Sequence, residues 1–290
     1  MDQKMHESLE KFMAERNPKD EKELNDLLQE FINLYNSGEL DYEDSPMVQA
    51  YELLEQAHEA KSEKEKMKLV KQALAVCPDC LDAKLILATE SNRPIKVFQN
   101  VFKCISEEKE RLKKEGYFAK DNIGHFYLIY ETRPYIRAMY NLAHMYANAG
   151  MINKAILLAK EIIRLNENDN TGTRYLLMGL YAYKEEIDNM NKLYNKYKED
   201  SLHMLVPYMI YYYKQGEYKK AIDYLEKIKN QNKYFVKYFE EGMDMDATMP
   251  DGYTRGDISE VEDVVAGLEF LFSSVPDISE LILEDDILEE

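Results

Sequence analysis

The sequence predicts an all-α protein made of paired helices stacked in a line, with capping helices at both ends. Three observations carry that expectation. Apolar residues recur at three- and four-residue spacing through most of the chain, and few segments alternate with period two. Ala, Leu, Lys, Glu and Met, all good helix formers, are abundant. One pattern of large and small residues also returns at a period of about 34 residues, the length of a helix–turn–helix unit.

Residues 1–44, with helices over 7–15 and 19–37, read as an N-terminal cap, and GELDYEDS at 38–45 reads as part of it or as a linker. Ser45 followed by Pro46 marks the next helix start, because a serine side chain caps free N–H groups and proline lacks one. From there PMVQAYELLEQAHEAKSEKEKMKLVKQALAVCPD gives Leu53, Ala57, Val70 and Ala73, with Pro78 as terminator. The clearest unit, AMYNLAHMYANAGMINKAILLAKEIIRLNEND, places Leu142 and Ala143 on its first helix, Tyr146 one turn later, Gly150 in the turn, and Ala155 and Ala159 on its second helix. Small residues at these phases let paired helices approach without a void. A degenerate unit follows with Leu176, Leu177, Leu180 and Leu193, then a further one with Tyr208, Tyr212, Gly216, Ala221 and Leu225. The phases match the tetratricopeptide (TPR) pattern. Residues 45–239 are therefore expected to form a TPR-like, right-handed helical solenoid whose concave face is lined by first helices, with an inserted segment at 116–134.

Residues 240–290 form the last element, an acidic C-terminal cap or lid. An irregular stretch at 241–257 precedes helices expected near 258–273 and 278–287, and the tetrapeptide DISE, a capping signature, occurs at 257–260 and again at 277–280. The chain carries 37 Lys+Arg against 55 Asp+Glu. Residues 240–290 hold 17 of those acids and a single base, Arg255, so the body before them is nearly neutral. No basic footprint exists for tracking phosphates, which argues against direct nucleic-acid binding.

A stronger likeness lies at 124–138, where GHFYLIYETRPYIRA interrupts the plain repeat. With NENDNTGTRYLL at 166–177 and CPDCLDAKLILA at 77–88, it resembles the signature of a group of bacterial tetratricopeptide repeat proteins without an assigned reaction, distantly akin to the suppressor of tumorigenicity protein 7 family. That resemblance covers residues 46–275 and implies the fold without an activity. Departures are Glu167 where the group has proline and Thr171 where it has glutamine.

Within the motif, Pro134 suits the first turn of a helix running to Asn148. Glu131, Arg133 and Arg137 cluster around that start with His125 and Tyr135 nearby, and Arg174 opens the corresponding helix of the next unit. Two readings stand side by side. In one, Glu131 pairs with an arginine while Asp169 and Asn170 cap a helix. In the other, Arg133, Arg137 and Arg174 hold an acidic group of a peptide, since guanidinium matches a carboxylate bidentately. Tyr175, Tyr208 and Tyr212 would then belong to the floor of that groove; the chain has 23 tyrosines and no tryptophan.

The expected function is accordingly a cytoplasmic, non-enzymatic scaffold binding a protein or peptide. The alternatives are an enzyme using His125 with Glu131, and an acidic tail that recruits a basic partner. No membrane span and no secretion signal is visible, and three cysteines fit a reducing compartment. Cys77-Pro-Asp-Cys80 lacks the second pair a zinc site needs. DMDATMPDGYTR at 244–255 has Met249 and Arg255 where a calcium loop needs glycine and glutamate. Phosphate-loop, dinucleotide and hydrolase motifs are missing, and five scattered histidines make no metal pattern; no cofactor or metal is expected.

Overall fold

The structure is a computed structural model that describes residues 3–40, 42–242 and 252–283. Among the described residues it is helical without a strand: α1 (Gln3–Arg16), α2 (Glu21–Ser37), α3 (Pro46–His58), α4 (Glu63–Val76), α5 (Leu81–Thr89), α6 (Pro94–Lys114), α7 (Arg133–Asn148), α8 (Ile152–Leu165), α9 (Thr173–Tyr183), α10 (Ile187–Tyr197), α11 (Leu202–Lys214), α12 (Tyr218–Gln231), α13 (Tyr234–Glu240), α14 (Ile258–Gly267), α15 (Glu269–Phe272) and α16 (Ile278–Leu283). They fall into two units. The first takes Met1–Tyr117 and Ile129–Ala138, the second Phe118–Leu128 and everything from Met139 onward.

In the first unit α1 packs on α2 and α3, and α3, α4, α5 and α6 follow one another as neighbours. Ser45 caps α3 as expected, accepting from the Val48 N–H at 3.1 Å, and its hydroxyl also donates to Glu7 at 2.8 Å, which ties α1 to the start of α3. The core joining α3 to α5 is made of small side chains, Ala50, Ala57, Ala73 and Ala83, with Cys77 and Cys80 buried among them. Burial pushes the Cys80 thiol up to about 11, so it is an uncharged packing group rather than a thiolate.

In the second unit α8 packs on α9, α9 on both α10 and α11, α11 on α12, and α12 on α13. Leu142, Ala143, Ala155, Ala159, Leu176, Leu177, Leu180 and Ala221 are all buried, at the phases read from the sequence. The turns repeat as well. Gly150 and Gly216 sit in left-handed backbone at φ 72° and 69°, and Glu185 holds the matching place in the degenerate unit at φ 61°, a conformation that glycine adopts without strain.

The acidic C-terminal segment belongs to this unit's core. Helices α8, α10 and α12 each have one apolar face, whereas α9 and α11 are apolar on all sides and so must be covered on all sides. The C-terminal segment supplies the second cover, with α15 on α9, α14 on α11, and α14 and α16 on α13. Val261, Val264, Leu268, Leu271, Ile278 and Ile282 are buried against them. The expected helix over 258–273 breaks at Leu268, because the chain must bring Leu268 and Phe270 down onto Gly179 of α9. A Cβ at Gly179 would stand 2.5 Å from Leu268 Cδ2 and 3.2 Å from Phe270 Cζ. Asp257 caps α14, but Glu260 reaches past the usual capping-box partner. Its carboxylate, 1 % exposed, accepts from the Gly256 N–H at 2.8 Å and from Asn232 Nδ2 at 3.0 Å, locking the end of α12 to the start of α14. Most of the calcium-loop-like stretch, and 284–287 of the second expected C-terminal helix, lie outside the described residues.

Two histidines meet this segment. His203 Nε2–H donates to Asp263 at 2.7 Å, and the His203 ring stacks on Tyr175 at 4.5 Å. His144 Nε2 is buried without a hydrogen-bond partner, and burial, opposed by Asp263, pushes its pKa from 6.5 down to about 4.

Two outcomes follow from this packing. Gly179→Val is expected to destabilise the chain by about 1–3 kcal/mol, read as a lower denaturation midpoint; an unchanged midpoint would show that Leu268 is not seated there. For His144, the unfolded chain takes up a proton as pH falls through 6.5 whereas the folded chain stays neutral to about 4. Stability present above the first value is therefore lost across that window, by up to roughly 3 kcal/mol. His144→Gln should flatten this part of the melting-temperature profile.

Candidate functional site

The 124–138 motif is divided between the units. Its Gly-His-Phe start belongs to the second, where Gly124 in left-handed backbone (φ 97°) accepts from the Glu167 N–H at 2.8 Å, and the Phe126 N–H donates to Leu165 at 3.0 Å. Phe126 is fully buried and meets Phe118 edge-on, while His125 is exposed and contributes its backbone to a bridge with Asn166. The Glu-Thr-Arg-Pro-Tyr part belongs to the first unit. Residues Tyr130–Thr132 form one 3-10 turn, held by Thr132 Oγ1 donating to Ile129 at 3.0 Å, and α7 starts directly after it with Pro134 as its second residue. Tyr135 and Ile136 are buried. His125 and Glu131, read from the sequence as an acid/base pair, thus belong to different units.

Each arginine of the expected anion clamp has its own surroundings. Arg137 Nη2 donates to Asp82 at 2.9 Å, and Tyr51 donates to the same carboxylate oxygen at 2.7 Å, so α3, α5 and α7 are linked through one acid. Arg133 lies over the Tyr130 ring at 5.0 Å. In the second unit, Arg174 donates through Nε to Glu199 at 3.0 Å and through Nη1 to Asp169 at 3.1 Å, with its guanidinium over the rings of Tyr175 and Tyr197. Tyr175 closes the set by donating to Glu199 at 2.6 Å. Asp169 caps α9 at the same time, accepting the N–H groups of Thr173 and Arg174 at 2.8 Å each. Two carboxylates on one guanidinium leave the cluster net negative, so it repels a third carboxylate. Tyr208 and Tyr212 both stack on Tyr224, and Tyr208 donates to Asn191 at 2.8 Å, so this pair packs α10, α11 and α12 together.

A polar cavity of about 100 Å³ opens in the first unit, lined by α1, α3, α5, α6 and the 130–134 turn. That is room for a few waters or for one cationic side-chain head. Asp79, Glu108 and Glu131 face it against a single base, Arg111. Glu108, 3 % exposed, takes a bidentate pair from Arg111 at 2.7 and 3.0 Å, and Arg111 reaches Glu115 with its other nitrogen at 2.6 Å. At the rim His6 stacks on Tyr130 at 4.1 Å, and its Nε2 lies 3.5 Å from Glu10 and 3.9 Å from Glu131. Of the residues read from the sequence as site candidates, the structure brings Glu131 to this cavity. Sequence reasoning passed over His6, Glu10, Asp82, Glu108 and Arg111. The spacings 6/10 and 108/111/115 are visible on single helices, whereas the partners at 51, 82 and 131 come from far along the chain.

The buried and exposed ion pairs should separate by mutation. Asp169→Ala removes a cap and leaves Arg174 short of one carboxylate, an expected loss of about 3 kcal/mol in denaturant unfolding. Arg137→Ala, at a half-exposed pair, is expected to change stability by at most about 1 kcal/mol. Equal effects would mean that the Asp169 cluster is not holding α9.

No protein-family model matches the sequence, and no curated protein matches it.

Proposed function

We propose that the chain is a tetratricopeptide-like scaffold that binds a protein or peptide partner and takes a cationic group of that partner, a lysine, arginine or N-terminal ammonium, into the cavity of its first unit. The repeat reading draws support from alanines at matching phases, from the shared left-handed turn at Gly150, Glu185 and Gly216, and from each helix packing on the next. Three cysteines, none in a disulfide, favour a reducing compartment such as the cytoplasm.

The charge around the cavity carries the functional part. Three carboxylates line the cavity; Arg111 is already taken by Glu108 and Glu115, and Lys84 stands 3.6 Å from Asp79, so three cavity acids and Glu115 face two bases and the site is net negative, with Glu131 carrying the excess. A basic group entering there gains where an acidic one loses. This reverses the sign expected from the arginines of the sequence motif, because Arg137 and Arg174 each have carboxylate partners in the fold.

Fluorescence anisotropy of basic, neutral and acidic peptides, measured with a chelator present, tests it. Basic peptides should bind at least about tenfold more tightly, a difference of about 1.4 kcal/mol, and should weaken as salt is raised. Glu131→Gln combined with Asp79→Asn should remove the preference. Tighter binding of acidic peptides, or binding indifferent to the double substitution, would return the function to the arginines.

A further inference from the structure

We infer that His6, Glu10 and Glu131 bind a divalent transition-metal ion at the rim of the first unit's cavity. His6 and Glu10 stand one turn apart on α1, so both side chains leave the same face. A spacing of four is also the one at which a helix presents two ligands to a single ion. The third ligand comes from the far side of the sequence. Glu131 sits in the 3-10 turn just before Pro134, a turn fixed by Thr132 and by the start of α7.

The three donor atoms lie within 4.8 Å of one another, with His6 Nε2 at 3.5 Å from Glu10 and 3.9 Å from Glu131. Ligands about 2.0–2.2 Å from a common ion are separated by roughly 3–3.5 Å, so small rotations of the glutamates close the set. The imidazole is already aimed. Its ring lies nearly parallel to Tyr130, 16° between planes, which holds Nε2 toward the two carboxylates.

That nitrogen is also the unexplained atom of the cluster. Nε2 is shielded from water and has no hydrogen-bond partner, and the carboxylates are too distant to supply one. An imidazolium–glutamate pair would be expected to draw in to about 2.8 Å. A cation between the three groups satisfies the nitrogen and offsets the repulsion of Glu10 and Glu131. The glutamates are 58 % and 38 % exposed, which gives the ion an entry path, and three protein ligands leave a coordination position free beside the cavity. One imidazole with two carboxylates suits Zn²⁺, Mn²⁺ or Fe²⁺ rather than Cu⁺ or Ca²⁺.

The site does not depend on the peptide-binding reading, and it is tested without peptide. The full-length chain, stripped with chelator, is titrated calorimetrically with ZnCl₂ and MnCl₂ at about pH 7.5. One equivalent should bind, and the melting temperature should rise with metal. His6→Ala and Glu10→Gln should each weaken binding at least about tenfold, the range that disturbed metal sites show. A Cys77→Ser/Cys80→Ser variant, which removes two of the softer ligands in the chain, should bind as the parent does. Should His6→Ala fail to fold, Glu10→Gln decides, since that side chain is largely exposed. No saturable binding below about 1 mM would overturn the inference. So would binding that survives Glu10→Gln, or binding that vanishes with the cysteines in a variant whose helical spectrum and melting temperature match the parent's.

Discussion

Helices α9 and α11 carry apolar side chains around their whole circumference, and water has to be kept from every side of both. Helices α8, α10 and α12 cover one side, which leaves an inner face of leucine, methionine and tyrosine that no polar surface can close. The C-terminal segment closes it, which is why a stretch so rich in acids is so thoroughly buried along its valine and leucine positions. Its charges follow from the same constraint. The apolar stripe turns inward, and among the described residues Asp277 and Glu280 turn toward solvent, while Glu260 meets Asn232 and the Gly256 N–H, and Asp263 meets His203.

Charge is treated differently in the two units. In the second, Arg174 is consumed by Asp169, Glu199 and the rings of Tyr175 and Tyr197, so the cluster fixes a helix start and a turn. In the first, carboxylates outnumber bases around an open cavity, and the small-residue core of α3, α4 and α5 sets the spacing of the helices that line it. Neutralised clusters hold a fold, whereas an unbalanced one attracts a ligand. The proposed partner contact and the proposed metal site both draw on that excess negative charge.

Much of the fold was legible because a helix repeats every 3.6 residues and its caps use few side chains. Ser45 with Pro46, Asp257 before α14, and alanines at matching phases all lay where local rules put them. The break at Leu268 was not legible, since it answers to Gly179 on another helix. The all-round apolar runs YLLMGLYAY and LHMLVPYMIYYY do announce that α9 and α11 need two covers. The site was less legible for a plain reason. Glu131 stood out within its motif, yet its neighbours His6 and Glu10 lie more than 100 residues away, and the partner of Arg137 is on α5. Side-chain types in a motif name a chemistry, and tertiary partners such as Asp82 and Glu199 decide which of those groups are already paired.

The seating of Leu268 and Phe270 on Gly179 also dictates an order of events during synthesis. Roughly 90 residues separate the two surfaces, so at about 5–20 residues per second the inner face of α9 waits some 5–20 s for its cover to be made. During that interval the nascent chain displays an apolar helix face to the cell, and closing it needs contacts of long sequence separation, which form slowly. The residues of α14 and α15 are therefore the ones that end this face's exposure to aggregation, and a stop codon even slightly upstream of α14 leaves the hazard permanent.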